Sequence, residues 1–261
     1  MADQTPAPAI EVRDLTKSFR VNGREVHALN RVSLAVGHAE TLGIVGESGS
    51  GKSTLGRIVV GLETKSSGEI LHEGTAISGL GRAERKARLA KCQMIFQDPY
   101  ASLNPRMTIG RQIHETLRAH GNRQRAQNLA KAAALLDRVG LPPDAAGRFP
   151  HEFSGGQRQR IAIARAISTG PSVIVADEAV SALDVSVREQ ILDLMAELKG
   201  TTSYLFISHD MAAVAKVCDR IAVMHKGRLV EQGTTRQIIS DPQDPYTQSL
   251  LEAVPRIGRR R

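Results

Sequence analysis

The sequence predicts an α/β fold: a mostly parallel sheet with flanking helices, an N-terminal antiparallel β region and an inserted helical lobe. Three observations carry this expectation. After residue 170, short apolar runs of strand length alternate with helical patterns, the order in which helical crossovers join parallel strands. Near the start, Asn22-Gly23 stands between two extended, β-rich stretches, a strong short-range hairpin signal. Between these regions, from about residue 98 to residue 169, the texture turns helical.

The elements follow in order. Residues 9–21 read as the first extended stretch, and residues 25–29 return from the Asn-Gly turn. Residues 32–36 and 41–45 continue the strand pattern, and a glycine-rich turn then runs into a helix over 55–62. Residues 123–139 are rich in Ala, Leu, Gln and Arg with apolar spacing near 3.6, and Gly140, Pro142 and Pro143 stop that helix. Residues 172–176 form a short buried strand and 187–199 an amphipathic helix. A strand over 203–207, a helix over 211–217 and a strand over 221–224 come next, and Lys226-Gly227 turns the chain into 228–231. In such a sheet ligands bind at the carboxyl ends of the strands. One domain over residues 9–255 is expected, with 1–8 and 256–261 as flexible termini, the latter ending in the basic Gly258-Arg259-Arg260-Arg261. No internal repeat is visible, which implies one set of site motifs.

Composition excludes several classes. A chain of 261 residues with 41% hydrophobic and 24% charged residues reads as a globular protein with a sizeable core. No apolar stretch reaches the about 18 residues of a membrane helix, and the start, with Pro6 and Pro8, lacks the basic and apolar regions of a signal peptide. Cys92 and Cys218 are too few for a disulfide framework or a four-ligand cluster, so two buried, reduced thiols and a cytoplasmic address are expected. The net charge of +8 invites a nucleic-acid reading, but 3% aromatic residues and no Trp leave few stacking platforms. The excess of Lys and Arg is read instead as solvated helix faces or attraction to an anionic membrane, and no nucleic-acid partner is expected.

The most specific local signal is Gly46-Glu47-Ser48-Gly49-Ser50-Gly51-Lys52-Ser53, followed by Thr54, which satisfies G-x-x-x-x-G-K-[ST] between a strand and a helix. Glycines let backbone N–H groups converge on phosphate oxygens at a helix N-terminus, Lys52 reaches the outer phosphates, and Ser53 offers a hydroxyl to Mg²⁺. A flexible Gly/Ser linker is the bland alternative, and it does not account for the strand and helix on either side. The apolar run over 173–176 ends in Asp177-Glu178. Asp177 would hold Mg²⁺ and Glu178 would orient or deprotonate the attacking water. Two acids after a strand could also be helix caps, and the upstream phosphate loop decides against that. Ser208-His209-Asp210 follows the next strand, so His209 is a candidate γ-phosphate sensor.

Phe153-Ser154-Gly155-Gly156-Gln157 is a second anion-binding signal: Ser154 can cap the following helix over 157–167, and the glycines leave its N–H groups open. With this motif the sequence resembles the ABC ATPases over about residues 9–255, with Phe153 where Leu is commoner. The resemblance implies an ABC-type P-loop ATPase core and ATP with Mg²⁺ as ligands. It also implies that Ser154, Gly155, Gly156 and Gln157 meet the γ-phosphate held by an opposite subunit. By the same likeness Phe19 stacks on adenine, and Gln97 touches Mg²⁺ and the attacking water while joining core and helical lobe. Lys52 and the rest of the loop bind phosphate, Asp177 is the metal-site acid, Glu178 the general base and His209 the switch histidine. Asp184, in Ser181-Ala182-Leu183-Asp184, belongs to the loop that communicates across the dimer.

Within that family, the segment from Gln97-Asp98-Pro99-Tyr100 to Arg106 and the late Asp244-Pro245-Tyr246-Thr247 resemble ATPases of bacterial peptide and nickel importers. Ala179, where many relatives carry Pro, and an end soon after Pro255 tilt the likeness toward nickel-type or generic short subunits. The implied partners are a second, homologous or identical, ATPase subunit, two transmembrane permeases and indirectly an extracytoplasmic solute-binding protein. The implied place is the cytoplasmic face of the inner membrane. The rival readings are an exporter subunit, a soluble ABC ATPase acting on nucleic acid or ribosomes, and a regulatory module without turnover. Coiled-coil insertions, zinc-binding cysteines and tandem halves, which mark the soluble type, are not visible, and intact Glu178 and His209 argue against the module.

Overall fold

A computed structural model describes residues 6–21, 23–181 and 183–253. Strands β1 (Ile10–Val21), β2 (Arg24–Val36), β4 (Ser67–His72) and β5 (Thr75–Ala76) form an antiparallel sheet in the order β2-β1-β4-β5. Val21 pairs with Arg24, so the β1–β2 hairpin closes on two residues; Gly23 has a φ of 77°, and Asn22 lies outside the described residues.

The second sheet is six-stranded and carries the site. Its order is β10 (Arg228–Thr234), β9 (Arg220–His225), β3 (Thr41–Val45), β8 (Ser203–Ile207), β7 (Val173–Asp177) and β6 (Cys92–Ile95). From β9 to β6 all neighbours are parallel, and β10 alone runs antiparallel to β9. Parallel strands bring their carboxyl ends to one edge of the sheet, and the phosphate loop, Gln97, Asp177-Glu178 and His209 lie at or after these ends, whereas Phe19, the Ser154 helix and Asp184 do not.

The strands are apolar without alternation because both faces are covered. In β7, Val173 and Val175 join the core under the antiparallel sheet and helix α1 (Lys52–Val59), while Ile174 and Ala176 join the core under the helices of the other face. In β8, Leu205 and Ile207 divide from Tyr204 and Phe206 in the same way. Burial of both faces, at about 25 cal/mol per Å² of apolar surface, stabilises the sheet that carries the site.

The far face carries α3 (Ile109–Ala119), α4 (Arg125–Arg138), α5 (Gly155–Ile167), α6 (Val185–Leu198) and α7 (Met211–Val217). Ile109, Ile113 and Leu117 recur every four residues on α3 and are buried, the stripe an amphipathic helix needs. Gly140, at a φ of 70°, ends α4 and donates its N–H to the Asp137 carbonyl at 2.8 Å. Helices α8 (Thr235–Ser240) and α9 (Pro245–Glu252) complete the described chain. Cys92 and Cys218 are both free and buried.

Several boundaries differ from the sequence expectations. The stretches 25–29 and 32–36 are one strand: pairing with β1 carries it across Asn30-Arg31, with Arg31 at a φ of 53°. Helix α1 starts at Lys52 because Gly51 launches it directly from the loop, and it ends at Val59 rather than 62. Helix α5 takes in Gly155 and Gly156 as its first turn. The sequence expectations do not include β4, β5, β6, α2 (Arg82–Leu89), α8 or α9; α2 buries none of its residues, so it carries no apolar stripe to read. The basic tail from Gly258 lies outside the described residues.

Candidate nucleotide-binding site

The carboxyl ends of β3, β6, β7 and β8 open onto a cleft of about 570 Å³. Its walls include most of the phosphate loop (Gly46, Glu47, Ser48, Gly49, Gly51, Lys52, Ser53 and Thr54) together with Gln97, Glu178 and His209. Ser50, the remaining loop residue, is buried behind it, where its carbonyl accepts from Gly227 N–H at 3.0 Å.

Glycine is required at two places in this loop. Gly46 has a φ of 145°, and a Cβ there would lie 2.1 Å from the Met224 carbonyl oxygen. Gly51, at 103°, would bring a Cβ to 2.3 Å from the Ala28 carbonyl oxygen. The loop is therefore seated against β9 on one side and β2 on the other. The strand register slips at Ala28, between the pairs Lys17–Leu29 and Ser18–His27, which lets that residue reach both Gly51 and the cleft.

Lys52 is buried, and its Nζ donates to the carbonyls of Gly46 and Glu47, each at 2.7 Å. Burial lowers its pKa, against the opposing attraction of Glu178, Asp177 and Glu47. A desolvated ammonium held by neutral carbonyls at the mouth of an amide nest binds an anion strongly.

Ser53 Oγ donates to Asp177 Oδ1 at 2.9 Å. Asp177 is 2% exposed, and burial raises its pKa, with the Ser53 bond and Arg57 acting in the opposite direction. A hydroxyl beside a carboxylate in a dry place is the oxygen donor set that suits a hard divalent cation, and Gln97 lines the same cleft.

Consecutive strand residues point to opposite faces; Glu178 lines this cleft, whereas Asp177 does not line it and is joined to it through Ser53. Glu178 has a φ of 51°, a left-handed conformation that costs about 1 kcal/mol and ends the strand geometry. Its N–H donates to the Ile207 carbonyl at 2.9 Å, and the Glu178 carbonyl accepts from Ser181 Oγ at 2.9 Å, so β8 and the following turn hold the backbone in place. His209 Nδ1 lies 2.8 Å from Glu178 Oε2, a close contact without the alignment of a hydrogen bond. The imidazole is exposed and the carboxylate nearly covered.

Other expected residues lie elsewhere. Ser154 caps α5 as its sequence predicts: its Oγ accepts from Gln157 N–H at 3.3 Å, and Gln157 Oε1 accepts from Ser154 N–H at 2.9 Å. Ser154 and Gly155 are exposed, and a Cβ on Gly155 would meet nothing within 4 Å. None of Ser154, Gly155, Gly156 and Gln157 lines the Lys52 cleft. Asp184 caps α6, accepting from Val187 N–H at 3.0 Å and Ser186 Oγ at 2.8 Å, bonds that hold its carboxyl below the usual range. Ala182 lies outside the described residues. Phe19 is half-buried on β1 with the Lys17 ammonium 4.6 Å from its ring centroid, and it is not among the cleft-lining residues.

Three residues no motif had singled out for this cleft also touch the loop or the cleft: Ala28, Tyr246 and Leu250. Gln159, 1% exposed on α5, donates to the Phe96 carbonyl at 3.1 Å, and Arg165 of the same helix donates to the Ser102 carbonyl. These bonds tie the Ser154 helix to the segment that carries Gln97.

Comparison with known proteins agrees with this geometry. A family profile described as ABC transporter matches residues 29–181, more than half of the chain, and one described as oligopeptide/dipeptide transporter, C-terminal region, matches residues 230–261. The glutathione import ATP-binding protein GsiA of Escherichia coli K12 is 51% identical over 257 residues, covering 95% of this chain and 41% of GsiA. The GsiA of Salmonella paratyphi A is 50% identical with the same coverage, so the chain spans about two fifths of the length of these relatives. Among solved structures, the cassette MJ0796, as a dimer in a post-hydrolysis state bound to ADP and Pi, is 27% identical with a TM-score of 0.79, covering 87% of this chain and 99% of that one. The Clostridium perfringens cbiO1, part of the ABC transporter complex cbiONQ, is 25% identical with a TM-score of 0.76, covering 90% and 92%. A strand-end cleft built on the phosphate loop, the cassette fold and a profile match over most of the chain agree on one conclusion: the chain belongs to the ABC transporter family of ATP-binding proteins.

Proposed function

We propose that this chain binds Mg²⁺-ATP and hydrolyses it as the nucleotide-binding subunit of an importer for small peptides or nickel-like metal complexes. The carrying observation is the convergence of Lys52, the Ser53–Asp177 pair and the Glu178–His209 pair on one cleft. In this reading Lys52 and the loop amides hold the phosphates, and Ser53, Asp177 and Gln97 hold the cation. The cation, when bound, would neutralise charge between the β- and γ-phosphates. Glu178 accepts a proton from the attacking water, and His209 keeps that carboxylate aimed while facing the γ-phosphate side of the opening.

The open start of α5 is a second anion site that one chain does not bring to its own cleft, which supports a two-chain sandwich with Ser154 of each chain over the other's nucleotide. The dimeric form of MJ0796 supports the same arrangement. Closure would move the helical lobe through the Gln159–Phe96 bond beside Gln97, and that lobe would press on two permeases at the cytoplasmic face of the membrane. No helix among the described residues is long and apolar enough to cross a membrane. The cargo reaches the permeases through an extracytoplasmic binding protein. The name of the GsiA relatives favours a peptide, whereas the buried Ala179 tilts toward nickel.

Glu178→Gln tests this reading. The variant should bind ATP as wild type does, lose at least about 100-fold in turnover, and form an ATP-dependent dimer by light scattering. Wild-type-like hydrolysis in the assembled transporter would sink it. Stimulation of that ATPase by glutathione-like peptides or by chelated nickel decides the cargo.

A further inference from the structure

We infer that Tyr246, in the C-terminal region, is a positioning residue for the phosphate loop, so that α9 forms part of the nucleotide site. The inference rests on the nucleotide-binding function proposed above. Tyr246 Oη accepts a hydrogen bond from the backbone N–H of Glu47 at 3.0 Å, across 199 residues of sequence. In a phosphate loop the direction of each backbone N–H decides where an anion can sit, and here the first amide after Gly46 is turned toward α9. The loop cannot shift that end without breaking this bond.

The phenol is backed by a second ring, and the backbone that carries it is anchored at the start of α9. Its ring lies against the His225 ring, with centroids 3.9 Å apart and planes tilted by 41°. His225 directly follows Met224, whose carbonyl contacts the Gly46 backbone position, so β9 supports both the loop and the tyrosine that clamps it. Asp244 caps α9, its Oδ1 accepting from Tyr246 N–H at 2.8 Å. Glu231 on β10 accepts from the Gln243 and Asp244 N–H groups at 2.8 and 3.1 Å, which anchors the start of α9 to the sheet. One turn after Tyr246, on the same helix face, Leu250 lines the cleft. A hydroxyl that merely filled space would need none of this framing.

Calorimetric titration of this 261-residue chain with Mg²⁺-ADP separates positioning from structural support. Tyr246→Phe keeps the ring on His225 and removes only the acceptor, and the affinity should fall about fivefold with unchanged binding stoichiometry. Leu250→Ala should weaken binding in the same direction. A purely structural role would instead lower the binding-competent fraction and the melting temperature at an unchanged dissociation constant, and that result overturns the inference. So does a Tyr246→Phe variant that binds as wild type while Lys52→Ala loses affinity. If Lys52→Ala also binds as wild type, the nucleotide reading itself falls.

Discussion

The hydroxyl of Ser53, at the start of α1, donates a 2.9 Å hydrogen bond to the carboxylate of Asp177, at the end of β7, joining points 124 residues apart. The bond places a neutral oxygen and a buried anionic one side by side at the edge of the cleft. Asp177→Asn keeps the shape and removes the charge. ATPase activity should fall about 100-fold, and the Mg²⁺ concentration for half-maximal activity should rise. Because burial already penalises the ionised form, the nucleotide-free variant should melt no lower than wild type. Unaltered Mg²⁺ dependence in a metal titration would remove Asp177 from the metal site.

Ser154→Ala separates the helix cap from the second anion site. Loss of the Oγ bond to Gln157 should cost about 1 kcal/mol of stability in urea melts. Since Ser154 lies outside its own chain's cleft, Mg²⁺-ADP affinity should stay near wild type. ATP-dependent pairing in a Glu178→Gln background should weaken by tenfold or more, roughly a lost charge-assisted hydrogen bond. Pairing of wild-type strength, measured by analytical ultracentrifugation, contradicts the sandwich.

His72 makes acid sensitivity predictable. It is 4% exposed at the end of β4, and burial pushes its imidazole down from 6.5 to about 4. Between those values the unfolded chain takes up a proton that the folded chain refuses, so this contribution is fully present above about pH 6.5. It is lost as pH falls toward 4, amounting to about 3 kcal/mol. Urea midpoints for wild type should therefore drop between pH 7 and pH 4.5 by more than those of His72→Gln. Parallel pH profiles would show that His72 does not titrate in this way.

Much of the site was legible because its chemistry is local. Gly46, Gly51 and Lys52 lie within a few residues of one another, and the apolar strands ending at Asp177 and Ile207 announce which side chains reach the sheet edge. Ser154 reads as a cap because a cap is a contact three residues long, whereas the capping of α6 by Asp184 is seen only in the structure. The missed elements have the opposite character. Helix α2 buries nothing, so no stripe marks it, and the continuity of β2 through Arg31 depends on its pairing with β1.

The residues alone determined that a phosphate loop, a pair of acids and a capped, glycine-led helix exist, because backbone conformation and capping are set by near neighbours along the chain. Only the folded sheet decided which of these share a cleft. Parallel pairing brings Lys52, Gln97, Glu178 and His209 to one edge, while Ser154 is not among the residues that line the cleft there. It also decided that Tyr246 touches Glu47, a contact no local pattern encodes, because closing so long a loop is made favourable only by the core that β9, β10 and α9 pack around.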